Sequence, residues 1–369
     1  MLHRGLPFHR GDRPMKKSVW LPALIAPVVV AGAVAAPVIA QAASTPIAGD
    51  DPTAAAVIAS IAKSSDAQYS GKLAQTSDLG LPELPAGAGG SSLEGDASDA
   101  LSLLTASHTA RVYVDGPSKQ RVQVTEQLAE QDLIRNGSTV WTWDSKERAA
   151  TKTTLPSRAA ESPASGTATP SDLAEQAIDA ITPTTTVSKP VATSVAGHDA
   201  WLVTLTPKSS DTLVGSVQLA VDQQTGLPLR ATVTATGADD PAFQVGFTSL
   251  EYGAPAARLF DFTPPTGADV DSKDLSDARP RSGARHHGSD GANRPTVSGS
   301  GWDTVVALPA GSADQAGLGS DASGLLDQLT TAVAGGRAVQ TSLVSVYLTD
   351  DGRVLAGAVP VTALVAAAK

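Results

Sequence analysis

The sequence predicts a mainly β protein of the α+β kind: a meandering antiparallel sheet of about eleven short strands, with a small α+β unit behind it. Three observations lead there. Short runs rich in Val, Thr, Ile and aromatic residues alternate apolar and polar positions from about residue 69 to 252. Turn residues punctuate these runs at short spacing, as at Asp115-Gly116-Pro117, Asn136-Gly137 and Asp222-Gln-Gln-Thr-Gly226. Stretches with a helical period are few and short.

The expected strands are Tyr69–Thr76, Thr109–Val114, Gln120–Glu126, Asp132–Arg135, Thr139–Trp143, Ala149–Thr154, Lys189–Ser194, Asp199–Thr206, Gly215–Val221, Leu227–Thr236 and Ala242–Tyr252. Asn136-Gly137 is the two-residue hairpin signal that supplies positive φ at low cost. Two helices interrupt the strands. One follows Asp50, with Asp51 placed to cap it, Pro52 in its first position and Val57, Ile58 and Ile61 on one face. The other runs from Ser171 to Ile181, with Leu173, Ala177, Ile178 and Ile181 aligned. A weaker helical signal covers Asp96 to Leu104. So few helices can cover only one face of the sheet.

Domain organisation reads as a leader over 1–43, a β domain over 44–268, a disordered linker over 269–299 and a small β-α-β-β unit over 300–369. Ser272 to Gly291 is crowded with charge and holds Leu275 as its one large apolar residue, too little to order itself. In the last unit, Trp302–Leu308 reads as a strand and Ser320–Val333 as an amphipathic helix stopped by Gly335-Gly336. Thr341–Leu348 and Arg353–Val359 form a hairpin. The unit is too small to stand alone comfortably and is expected to dock on the large domain.

Basic residues up to Lys17 precede an uncharged stretch from Val19 to Ala40, and Ala40-Gln41-Ala42 fits small-x-small cleavage. The protein is expected outside the cytoplasm. It is either secreted or held in the cytoplasmic membrane by an uncleaved segment, and the basic flank orients the acidic body outward in both cases.

Composition excludes several classes. The formal charge of −10, with no basic patch in the body, argues against nucleic acid. The absence of cysteine removes disulfides, thiol chemistry and lipid attachment to a lipobox cysteine. HExxH, GxSxG, GxxxxGK[ST] and GxGxxG motifs are missing. Ser60-Ile-Ala-Lys63 matches SxxK, but without its SDN and KTG companions it reads as chance on an Ala-rich helix. Gly87 to Gly90 lacks the flanking strand and helix of a phosphate loop. His3 and His9 precede the apolar leader and His286-His287 lie in the linker; His108 and His198 are isolated. Most carboxylates sit in turns. No catalytic residue, metal site or cofactor is assigned, and the chain is expected not to be an enzyme.

The apolar strand rows are more informative. Trp141 and Trp143 share one side of their strand, as do Phe243, Val245 and Phe247. Val217, Leu219 and Val221 form a third row, and Trp201, Val203 and Leu205 a fourth. Such rows fill a sandwich core or line a groove for an acyl chain or apolar peptide, and pattern alone does not separate the two. The groove reading nominates Trp141, Trp143, Val203, Leu205, Leu219, Val221, Phe243, Val245 and Phe247 as its lining.

Several segments together resemble the LolA-like carriers of lipoproteins, in an actinobacterial branch related to MucB/RseB sigma-E regulatory proteins. They are Thr76-Ser-Asp-Leu-Gly-Leu-Pro82, His108-Thr-Ala-Arg-Val-Tyr-Val-Asp-Gly-Pro117, Asp132-Leu-Ile-Arg-Asn-Gly137 with Val140-Trp-Thr-Trp143, and Leu205-Thr-Pro-Lys208. Val221-Asp222 through Thr225-Gly-Leu-Pro-Leu-Arg230, and Phe243-Gln-Val-Gly-Phe247 closing on Phe260-Asp-Phe-Thr-Pro-Pro-Thr-Gly267, complete the set. The resemblance covers about residues 50–268. It implies an incomplete antiparallel β-barrel of about eleven strands, with helices plugging a concave face that holds acyl chains. It carries no motif from which a site residue can be transferred. Two functions remain open: a lipid or lipoprotein carrier, and an envelope-stress regulator that binds a membrane anti-sigma factor through the same fold and its second unit.

Overall fold

A computed structural model describes residues 52–80, 107–125, 129–156, 178–179, 181–276, 295–312 and 330–369. The leader, the Asp96–Leu104 signal, most of Ser171–Ile181 and most of Ser320–Val333 lie outside the described residues.

Thirteen strands form one sheet: β1 Gln68–Ser77, β2 His108–Asp115, β3 Lys119–Thr125, β4 Glu130–Asn136, β5 Thr139–Asp144, β6 Ala149–Thr154, β7 Thr185–Val187, β8 Val191–Val195, β9 His198–Pro207, β10 Val214–Asp222, β11 Pro228–Ala235, β12 Pro241–Tyr252 and β13 Asp269–Asp274. Their spatial order is β13-β6-β5-β4-β3-β2-β1-β12-β11-β10-β9, and both β7 and β8 pair with the far edge of β9. The two ends of this order do not pair with each other, so the sheet is an open, incomplete barrel. All eleven expected strands are present, with ends moved by a few residues.

Two strands go beyond the sequence expectation. β7 is three residues long and stops before Pro190. β13 falls in the expected linker and pairs with β6, the one parallel pairing among the described residues. Its sequence, Asp-Val-Asp-Ser-Lys-Asp, is too polar to bury, yet an edge strand needs only backbone partners. The sheet therefore runs beyond residue 268.

The turns follow their chemistry with one adjustment. Asn136 pairs with Thr139, so the β4–β5 loop is Gly137-Ser138, and Gly137 carries the positive φ of 62°. Asp222 is buried, and its Oδ1 accepts from the backbone N–H groups of Gln224 and Thr225 and from the Thr225 hydroxyl. It is a turn-former.

Helix α1, Ala54–Ile61, is capped by Thr53 rather than Asp51: the Thr53 hydroxyl oxygen accepts from Ala56 N–H at 3.1 Å. Val57 is fully buried against Val203 and Val221. The helix thus sits on β9 and β10. Ile178 and Ile181 belong to a helical turn, in which Thr182 N–H donates to Ile178 O.

A second sheet has the order β14-β15-β19-β18-β17-β16, built from β14 Thr296–Ser298, β15 Val305–Leu308, β16 Thr331–Val333, β17 Gly336–Gln340, β18 Ser345–Thr349 and β19 Val354–Gly357. Helix α2, Val361–Ala367, seals one face through Leu364, which packs with Leu355, Tyr347 and Ala338. The expected β18–β19 hairpin is present. Trp302 lies in a short 3-10 turn ahead of the strand expected there. Thr331–Val333, expected as the end of a helix, is a strand instead. Its β-branched residues pair with β17, and Ala334 and Gly335 make the turn between them, Gly335 at a φ of 79°.

Candidate functional site

Register decides which side chains share a surface, because directly paired residues on neighbouring strands point the same way. Phe243 pairs with Ser77 and Val233, and that row continues to Val217 and Leu205. Val245 pairs with Ala231, which leads to Leu219 and Val203. Phe247 pairs with Leu73, which leads to Ala110 and Val124. The next row is Leu250, Gly71, Val112, Val122 and Leu133. These rows form one apolar face that runs from β9 across β12 to β4.

Seven of the nine nominated residues lie on it: Val203, Leu205, Leu219, Val221, Phe243, Val245 and Phe247. Trp141 and Trp143 do not. Their partners are Ile134 and Asp132, whereas the apolar face passes through Leu133 to Thr142. Both indoles therefore project from the opposite side of the sheet.

The seven are also divided among different partners. Val203 and Val221 lie under Val57 of α1, with Leu205 and Leu219 beside them. Phe243 packs with Trp302 and Leu343 from the C-terminal region. Phe247 packs with Tyr69 and Leu73, its ring edge-on to Tyr69 at 5.8 Å, in a buried cluster that also holds Val112, Leu250, Val195, Ala200, Ala220, Leu227 and Leu229. Gly71 is required there: a Cβ would come within 2.8 Å of the Phe247 ring and 2.6 Å of Ser249 O. The sequence pattern missed the other half of the face: Val112, Val122, Val124, Leu133 and, on β5, Val140. A signal for them exists. In Arg111-Val-Tyr-Val114 and Arg121-Val-Gln-Val124, valines alternate with polar or aromatic residues, but the larger tryptophans on the next hairpin give the stronger pattern. Of the two α-helices among the described residues, α1 covers the β9–β10 end of this face and α2 packs on the second sheet.

The opposite face is a closed structural layer. The chain leaving β12 crosses it before forming β13, and Phe262 packs against Trp141 and Trp143, with ring centroids 5.4 and 6.1 Å away. Phe260, Ile134 and Ala150 are buried in the same layer. Arg121 Nη2 donates to Asp132 Oδ2 at 2.5 Å and Arg121 Nη1 to Leu259 O at 3.4 Å. Burial raises the Asp132 pKa to about 6, and the hydrogen bond from Arg121 offsets part of that rise. Its Oδ1 has no hydrogen-bond partner.

A cleft of about 630 Å³ lies between Pro52–Ala55 and the segment Thr185–Pro190, with Lys208 at its side. None of the nine nominated residues lines it. Ser60, the serine of the SxxK pattern, is buried and donates to Val57 O at 2.6 Å. His198 is held by Leu250 O at 3.1 Å and meets the Tyr252 ring edge-on. Among the described residues, no three His, Cys, Asp or Glu side chains converge as a metal site, and no helix is long and apolar enough to cross a membrane.

The family model for outer membrane lipoprotein carrier protein LolA matches residues 105–263, the part of the chain that supplies β2 through β12 and the crossing segment. Over those residues the chain is similar to the LolA family. Solved structures similar to it include a chain of the Pseudomonas aeruginosa MucA/MucB complex, 16% identical, covering 83% of this chain and 93% of that one at a TM-score of 0.40. A LolA superfamily protein from Nitrosomonas europaea is 13% identical, covering 57% of this chain and 98% of that one at 0.23. An uncharacterised conserved protein from Thermus thermophilus is 11% identical, with coverages of 59% and 97% at 0.33. No curated protein matches the chain.

The large sheet thus has two unlike sides: one crossed by the chain's own segment around Phe262, and an apolar one of valine, leucine and phenylalanine whose Val112, Val124, Val203, Phe243, Phe247 and Leu250 are buried in hydrophobic clusters.

Proposed function

We propose that this is an extracytoplasmic binding protein that holds the acyl chains of a lipid or lipoprotein against the apolar face of its LolA-like sheet. The observation that carries the proposal is the continuity of that face by register, from Val245 and Phe247 through Leu73, Val112, Val122 and Val124 to Leu133; Phe247 and Val112 are buried against Val195, Ala200, Ala220 and Leu229, a packing that an entering acyl chain would part. The stretch of β1 from Tyr69 to Gln75 spans it along the strand, about 20 Å at the rise of an antiparallel strand. That is the scale of an extended long-chain acyl group. Each buried methylene contributes about 0.8 kcal/mol, so a chain of about 16 carbons grosses on the order of 10 kcal/mol before the costs of association. The leader sequence supports export, which puts the protein where such ligands are found.

Native mass spectrometry of the purified protein, with displacement of a fluorescent fatty acid, tests the proposal. Bound lipid is expected in the wild type and a large loss of affinity in Val122→Asp, whose carboxylate would sit on the face between Val112 and Leu133. A clean apo mass together with no fatty-acid binding would overturn it.

A further inference from the structure

We infer that the cleft beside α1 is a docking site for a short acidic peptide, which adds as a strand to the open edge of β7 and sets its carboxylates against Lys189 and Lys208. Acyl binding plays no part in this, because none of the nine residues nominated for the apolar face lines the cleft. The cleft, about 630 Å³, has Pro52–Ala55 as one wall and Thr185–Pro190 as the other. Val57 of α1 and Val187 of β7 pack in one cluster with Val203 and Leu205. The two walls are thus fixed relative to each other by the apolar packing beneath them.

Backbone and charge together select the guest. β7 pairs with β9 and, among the described residues, with no other strand. Lys208 N–H donates to Thr184 O and Ser188 N–H to Thr204 O, both at 2.9 Å. Thr184, Thr186 and Ser188 therefore turn their backbone groups to β9, and alternation turns those of Val187 and Lys189 outward. Thr185, the other outward residue, is buried, so the usable edge is Val187 to Lys189 and stops at Pro190, which has no N–H to offer. An extended peptide is the guest that satisfies such an edge. Charge sets its sign. The chain carries a formal −10, yet Lys189 and Lys208 line the cleft and no carboxylate does. Lys208 Nζ is steadied by donating to Thr182 O at 2.6 Å, and neither lysine forms an ion pair among the described residues. Both are exposed, so each keeps donors for a guest carboxylate. Salt screens the distant acidic groups beyond about 8 Å, which leaves the two nearby lysines to decide the local preference.

Fluorescence anisotropy of labelled peptides with the full-length protein tests this, using chains in which Val alternates with Glu, Ser or Lys. The Glu–Val peptide is expected to bind and the Lys–Val peptide not, with Ser–Val between them. Lys189→Glu, at an exposed position, weakens the Glu–Val peptide about tenfold and strengthens the Lys–Val peptide. N-methylation of the Glu–Val amides along one edge abolishes binding and along the other edge leaves it, because only one edge faces β7. Fatty-acid binding is unchanged in Lys189→Glu, so this site and the acyl-binding face stand or fail separately. No binding of the Glu–Val peptide, equal affinity for all the peptides, or indifference to Lys189→Glu overturns the docking site. Binding that survives methylation of either edge overturns the added strand. Displacement of the peptide by inorganic phosphate at constant ionic strength marks a small-anion site and overturns the peptide as its occupant.

Discussion

Trp141 and Phe262 meet with ring centroids 5.4 Å apart, and this contact makes the tryptophan pair part of the molecule's frame. Phe262 arrives from the segment that carries the chain from β12 over to β13, so the contact ties the middle of the sheet to its β13 edge. Trp143 joins it from 6.1 Å, and Lys152 Nζ lies 5.9 Å from the Trp141 ring.

Trp141→Ala should therefore cost stability and spare ligand binding. The side chain is half-buried, so the loss should be about 2 kcal/mol, below that of a fully buried indole. Urea unfolding paired with fatty-acid titration checks this. A tenfold loss of affinity at unchanged stability would place the indole in the binding site after all.

Asp132 should give the protein a distinct pH dependence. Its folded-state pKa is raised from 3.8 to about 6, chiefly by burial, so the folded protein holds this proton to higher pH than the unfolded chain. Its contribution to stability therefore falls as pH rises from about 4 through 6 and is level above that. Asp115, Asp274 and Asp351 are shifted downward by their hydrogen bonds and act in the opposite sense. Comparison with Asp132→Asn isolates the buried carboxyl. The difference in unfolding free energy between wild type and variant should shift by on the order of 2 kcal/mol over that range, and a flat difference would refute the assignment.

Gly226 fixes the packing of α1 on the sheet. Its φ is +73°, and a Cβ would lie 2.1 Å from Ser60 O. Gly226→Ala combines a left-handed backbone with a clash against the helix, so it should destabilise by about 2 kcal/mol or more. Thermal unfolding reads this directly; a melting temperature equal to the wild type would show that α1 does not bear on Gly226.

Val57 is the contact through which α1 covers Val203 and Val221. Val57→Asp should release the helix, cost at least about 3 kcal/mol and raise binding of a hydrophobic dye by uncovering β9 and β10. Unchanged dye binding would mean that the helix does not shield those residues.

The strands were legible in the chain of residues alone. Val-Thr-rich alternation located all eleven expected strands, and Gly137 and Asp222 marked their turns, because period-two patterning and turn chemistry are local properties of the chain. Which side chains on one strand point the same way was legible too. Which of those rows meet was settled only by folding. Trp141 and Phe247 carry equally good alternating patterns, yet a row has no absolute side until the registers from β12 through β5 are counted, and a shift of one residue would exchange the two faces. The same holds for Asp269–Asp274, whose charge forbids a core but not an edge, and for Thr331–Val333, where pairing with β17 overrides a helical pattern. What covers the apolar face was equally beyond the sequence: Val57, Trp302 and Leu343 come from opposite ends of the chain, and only long-range packing brings them to the same sheet.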